Sequence, residues 1–204
     1  MELSYELILR LLQELNRWME LEDCEPADWV VCGGAALGLQ KLQSREKTRD
    51  VDVLGCWDGR MLNVVSIDSF PGPLVACIDR VVANHPELVG LRRNWVNLGA
   101  RALAKAGLPD GFAERLRELR IGKKLTLRLL GRLDLLALKL YAAADERGRR
   151  QEIHFGDLKA LQPAYEELDW AVAWIRTLRD FEEKRIALKD VIQELGYEDL
   201  AYYV

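Results

Sequence analysis

The chain has 204 residues, half of them apolar and 30% charged, with a formal net charge of −4. That length supports one sizeable core, with or without an appendage, and excludes two large independent domains. The acidic balance argues against a protein that coats nucleic acid over its whole surface, so any basic surface must be local. In chain order, residues 3–20 place Leu3, Leu7, Leu11, Leu15 and Trp18 at three- and four-residue steps, which predicts an amphipathic helix. Trp29-Val30-Val31-Cys32 reads as a short buried strand broken by Gly33-Gly34. Ala35 to Leu42 is compatible with a helix whose small residues let it pack tightly on the strand it leaves. After a polar connection over 43–49, Val51, Val53 and Leu54 predict a second strand with Asp50 and Asp52 on its opposite face.

Asn63 to Ile67 predicts a third strand, and Pro73 to Asn84 and Val96 to Ala106 read as helices. Gly107-Leu-Pro-Asp-Gly111 is a turn by composition. Lys124 to Leu130 alternates as a late strand, Leu133 to Ala144 is a strong helix, and 157–195 is helical, with Trp170, Trp174, Ile175 and Leu178 as an inward face. The expected fold is α/β (α+β): a core of about four strands covered by helices over 1–162, then a helical extension over 163–204. The cysteines Cys24, Cys32, Cys56 and Cys77 form no CxxC pair and sit mostly in apolar segments, which predicts buried reduced thiols. No run of about 18 residues is apolar without charge, so neither a membrane span nor a signal peptide is expected, and the expected compartment is the cytoplasm.

The chemistry concentrates in residues 30–55. Alternate side chains of a strand share a face, so Asp50 and Asp52 have Cα atoms roughly 6.6 Å apart, a spacing suited to two carboxylates converging on one metal. Magnesium keeps several waters and borrows other ligands from substrate phosphates, so two aspartates are a sufficient share for the protein. Taken alone, such a pair also fits the solvent face of an edge strand. Gly33-Gly34 at a strand end opening a helix exposes backbone N–H groups and a positive helix end to an anion, although a glycine pair alone also makes an ordinary turn. Together they supply a phosphate cradle and a metal-binding pair, the parts needed to hold a nucleoside triphosphate for in-line attack.

Gly33-Gly34-Ala35-Ala36 followed by Thr48-Arg49-Asp50-Val51-Asp52-Val53 resembles the signature of the nucleotidyltransferase (polymerase β-like) superfamily: a strand, GG or GS, a helix, and a strand with D-x-D. Looser segments are similar to minimal bacterial nucleotidyltransferases of the abortive-infection toxin (AbiEii) type. These are Trp95-Val-Asn-Leu, Leu108-Pro-Asp-Gly-Phe with Arg115, Leu135 to Ala144 with Lys139, Arg147, and Gly156 to Leu161 with Asp157; the likeness spans roughly 28–162. The resemblance implies a small mixed-sheet core in which Gly33 and Gly34 hold the triphosphate and Asp50 and Asp52 bind Mg2+ or Mn2+. It further implies that Lys139 neutralises phosphate charge and that Asp157 belongs to the active site and assists proton transfer. The implied activity moves a nucleoside monophosphate from an NTP to an RNA (tRNA) or protein acceptor, as the toxin of a toxin-antitoxin system restrained by an antitoxin protein. A nucleotide sensor or binding module on the same fold is the alternative, and a sugar-nucleotide manganese site is a weaker third.

Departures from the family pattern are specific. Gly34 stands where many members have serine, 124–130 carries no third carboxylate, and Ile153-His154 stands where relatives often have Lys-Asp. Asp68 and Asp134 lie near predicted strands, but sequence alone makes neither a ligand. His154 sits about one helical turn from Asp157, where it could tune that residue or act as a cap. Lys139, among leucines, could also snorkel at the core margin. Between 114 and 132, Arg115, Arg117, Arg120, Lys123, Lys124, Arg128 and Arg132 face only Glu114 and Glu118, a cluster that could steer RNA or a triphosphate or form a solvated face.

Overall fold

The computed structural model describes residues 2–42, 47–88, 90–144 and 151–204. It opens with a short strand, β1 (Leu3–Ser4), and the helix α1 (Tyr5–Leu21). Ser4 caps α1 by accepting a hydrogen bond from the Leu7 N–H at 3.2 Å, which satisfies one of the orphan donors of the first turn. The buried stripe of α1 is Ile8, Leu11, Leu12, Leu15 and Met19, rotated slightly from the predicted one, with Leu7 and Trp18 at its margin.

The strand β2 (Ala27–Cys32), the helix α2 (Gly33–Leu39) and the strand β4 (Val51–Asp58) form the predicted strand, glycine pair, helix and second strand, with β3 (Lys47–Thr48) inserted before β4. The connection expected over 43–49 falls partly outside the described residues, and its end is β3, which pairs antiparallel with β1. Although a helix lies between them in the chain, β2 and β4 are antiparallel neighbours. Beyond β4 come β5 (Asn63–Val65), the helix α3 (Gly72–Asn84), and β6 (Val96–Asn97), which follows a 3-10 turn at Arg93–Trp95. The helix predicted over Val96 to Ala106 is therefore two elements, β6 and α4 (Arg101–Ala106). Val96 favours extended backbone, and β6 gains hydrogen bonds by lying parallel to the start of β4.

Then follow α5 (Phe112–Arg115), β7 (Arg117–Arg120), β8 (Leu125–Leu129), α6 (Arg132–Ala143), α7 (Gln151–Leu161), α8 (Tyr165–Ile175), α9 (Phe181–Glu194) and α10 (Glu198–Tyr203). The main sheet is mixed and larger than expected, six strands in the order β5-β4-β2-β8-β7 with β6 also against β4. β8 is parallel to β2, and β7 is antiparallel to β8. The fold is thus a mixed α/β sheet with a helical C-terminal portion, as its pattern predicted. No helix among the described residues is long and apolar enough to cross a membrane. The four cysteines are free thiols, and all but Cys56 are buried.

α6 is the central helix. Leu135 to Leu140 are buried in an unbroken run, and a helix apolar on all sides belongs inside the core. It packs on α2, α7, α8 and α9. α2 is held at its C-terminal end: the Gln40 side chain donates to the Ala36 carbonyl at 3.0 Å and to the Leu130 carbonyl, just past β8, at 2.8 Å. Its outer face meets α1 at Gly38, where a Cβ would fall 1.8 Å from the nearest carbon of the Tyr5 ring. Alanine raises helix propensity by about 1 kcal/mol over glycine. Displacing a packed aromatic ring costs about 1–3 kcal/mol or more. We expect Gly38→Ala to destabilise the fold on balance, read as a lower urea midpoint with an unchanged slope.

α3 is tied to α1 through His85. Its Nε2 lies 2.7 Å from Glu14 and its Nδ1 2.8 Å from Glu87, so both ring nitrogens face carboxylates. These hydrogen bonds, Glu87 first and then Glu14, raise the imidazole above its ordinary value of 6.5. Partial burial opposes ionisation of Glu14, yet hydrogen bonds from Asn84, His85 and Trp18 hold it below 4.5. The imidazolium's contribution to stability is present below pH 6.5 and fades as pH rises through the higher folded value, whereas that of Glu14 is lost in acid. The stability gap between wild type and His85→Gln should therefore be wider at about pH 6 than at about pH 9 in paired urea titrations.

Candidate functional site

The site forms where three strands end side by side. Cys32, the last residue of β2, stands opposite Asp52 of β4, and Asp52 stands opposite Asn97 of β6. The chain leaves Cys32 through Gly33 at φ +70°, a left-handed conformation that glycine adopts without cost. A Cβ at Gly33 would lie 2.5 Å from Asp52 Oδ2, and one at Gly34 would lie 2.5 Å from Thr48 Oγ1. The glycine pair thus lets the backbone press against the aspartate strand and the strand before it.

Asp50 sits one residue ahead of β4, and its Oδ2 accepts a hydrogen bond from Asn97 Nδ2 at 3.2 Å. Above them, Lys139 on α6 donates from Nζ to Asp157 Oδ2 on α7 at 2.5 Å, and both side chains are buried. A cleft of about 500 Å³ is lined by Gly33, Asp50, Asp52, Asn97 and Lys139, with an apolar wall that includes Leu103 of α4 and Leu135 and Leu138 of α6. A smaller cavity of about 60 Å³, sharing Asp50, Asp52 and Lys139 with the cleft, reaches Gly34, Thr48 and Asp157. All of the residues singled out in the sequence, Gly33, Gly34, Asp50, Asp52, Lys139 and Asp157, line one or both of these spaces. Lys139 is a buried partner in the site rather than a snorkelling side chain, and its remaining two protons can serve a second anion.

The Cys32 thiol is pushed well up by burial first and then by the negative charge of Asp52, against the opposing pull of Lys139. It is a buried, packed thiol. His154 lines both spaces and is half-buried. Asn94, Asn97 and Thr48 were missed in the sequence. Their signals are non-local, since Asn97 enters through a two-residue strand that only its pairing with β4 defines.

Other sequence candidates fall elsewhere. Asp134 is fully buried and gripped by Arg115, whose Nη2 donates at 2.6 Å and whose Nε donates at 3.0 and 3.2 Å. Asp68 is almost fully exposed and faces Lys105 at 3.4 Å. Much of the basic cluster is laced into the fold: Lys124 pairs with Asp23, Arg128 with Asp28 and Glu118, and Arg132 with Glu167. Arg147 lies outside the described residues.

The donor set suits a hard divalent cation. Two carboxylates at the foot of a cleft, kept open by a missing side chain at Gly33, offer oxygen ligands and leave room for others. Among the described residues no three His, Cys, Asp or Glu side chains gather into a complete cage, so the remaining ligands would come from water or phosphate.

A mixed sheet whose glycine-paired strand end meets a D-x-D at the start of the neighbouring strand agrees with the nucleotidyltransferase resemblance. The family described as nucleotidyltransferase of unknown function (DUF6036) matches residues 7–195, and the chain belongs to it. No curated protein and no solved structure matches the chain.

Arg115 and Asp134 allow a test of which buried charge is structural. Truncating one partner of a buried pair leaves an uncompensated charge at a cost of about 3–5 kcal/mol. Arg115→Ala should show a loss of that order in urea denaturation, and adding Asp134→Leu should recover most of it.

Proposed function

We propose that the chain transfers a nucleoside monophosphate from a nucleoside triphosphate to an acceptor oxygen, with Mg2+ or Mn2+ held by Asp50 and Asp52. The observation that carries this is the meeting of the glycine pair, the two aspartates and the Lys139–Asp157 pair around the cleft and the small cavity that shares Asp50, Asp52 and Lys139 with it. The metal, when bound, would polarise the α-phosphate and offset charge on the leaving pyrophosphate. The chain's own residues do the rest. Gly33 and Gly34 present backbone without side chains to the triphosphate, and Lys139 directs positive charge at it from a site shielded from water. The acceptor oxygen bonds to the α-phosphorus as the bond to the β-phosphate oxygen breaks. Pyrophosphate departs, and the family resemblance assigns uptake of the acceptor proton to Asp157.

The likeness to abortive-infection toxins extends the proposal to an acceptor that is the end of a tRNA or a protein side chain, and to restraint by an antitoxin protein. A second reading, nucleotide binding without turnover, is favoured by one observation: the strand beside Asp52 supplies the amide of Asn97 rather than a further carboxylate. Incubating the protein with each α-labelled triphosphate, either metal, and total RNA or cell extract separates the two. We expect label transfer that falls by more than about 100-fold in Asp52→Asn. Saturable triphosphate binding with no transfer to any acceptor supports the binding module, and neither binding nor transfer refutes both.

A further inference from the structure

β6 matters through a single side chain. Because Asn97 pairs in register with Asp52, the two side chains leave neighbouring strands on one face of the sheet. Asn97 Nδ2 donates to Asp50 Oδ2 at 3.2 Å, while its Oδ1 accepts from the Gly99 N–H at 2.7 Å. The second bond fixes which way the amide faces: with the oxygen taken by a backbone donor, the NH2 group is what Asp50 meets. Gly99 is fitted to this arrangement. A Cβ there would lie 2.7 Å from Asn97 Oδ1, and within 4 Å it would meet only the Asn97 side chain.

We infer that Asn97 is the positioning residue of the metal pair: from its place beside Asp52 it hydrogen-bonds Asp50, turning that carboxylate toward the cleft and adding no negative charge of its own. This rests on the metal-binding role proposed for Asp50 and Asp52. Losing a group that orients a metal ligand by hydrogen bonding typically costs about 10- to 100-fold in metal affinity. A neutral amide at this register also leaves the cation more of its charge for phosphate, whereas an aspartate there would hold the ion more tightly.

The probe is Mn2+ alone, titrated into the full chain and followed by the paramagnetic resonance of the free ion, with thermal melting as the check on folding. Asn97→Ala is expected to weaken binding about 10-fold. Gly99→Ala, which alters neither aspartate nor the amide itself, should weaken it in the same direction by pushing the amide aside. Asn97→Asp, equal in shape, should bind Mn2+ more tightly than wild type. A purely structural amide would not move affinity in opposite directions in the Ala and Asp variants. Unchanged affinity in folded Asn97→Ala and Gly99→Ala, with clear binding by wild type, overturns the inference and leaves the proposed transfer standing. Wild type that binds no Mn2+ overturns the metal pair and this inference together.

Discussion

The register between β2 and β4 is the constraint on which the site depends. Trp29 and Val30 pair with Cys56 and Gly55, and then the register shifts, so that Val31 and Cys32 pair with Val53 and Asp52. Without that bulge, Cys32 would face Val53. A one-residue slip in a strand turns every later side chain to the other face, so the shift decides which face Asp52 presents beneath Gly33. The left-handed Gly33 and the bulge are therefore two halves of one device: one clears the space and the other brings the carboxylate into it.

α6 carries two buried charges that do different work. Asp134 and Lys139 are five residues apart, about 140° around the helix, so they point to different sides. Asp134 is locked by Arg115, whose guanidinium also stacks over Trp170 at 5.1 Å, and it lines neither part of the cleft. Lys139 faces the aspartates and is paired with Asp157 from the next helix. Buried pairs seldom add net stability over apolar packing, because both charges must leave water. One pair is compensated by tight bidentate geometry outside the lining of the cleft. The other stays within reach of a ligand, where a buried cation is useful to an anionic substrate.

How much of this was legible follows from whether the determinants were local. The glycine pair and the D-x-D could be seen because glycine and aspartate are conspicuous beside β-branched residues, and the sequence alone placed them on a strand end and the next strand. Lys139 and Asp157 were legible through family likeness rather than through spacing, because eighteen residues of separation between two helices do not announce their contact. β6 was read as helix because two residues carry no period of their own; their conformation comes from the edge of β4. β7, Arg-Glu-Leu-Arg, hid in the basic cluster because edge strands guard themselves with charge. The partners that tie up that cluster, Asp23 and Asp28, lie about a hundred residues away, so composition could not show its neutralisation.

The cleft is built from two kinds of material. Its floor, Gly33, Asp52 and Lys139, belongs to elements buried in the core, where a small displacement would disturb close packing on several sides. Its outer rim is Asn94 of the 3-10 turn, Ala100, and Leu103 of α4, a six-residue helix with no fully buried side chain that rests on β4. The floor offers charge that any nucleoside triphosphate would satisfy, because every one carries the same phosphates. Discrimination between bases, on the proposed function, must then come from the rim, whose apolar and amide groups can change without unsettling the sheet. Asn97 joins the two, since its short strand brings it beside Asp52 and into a hydrogen bond with Asp50.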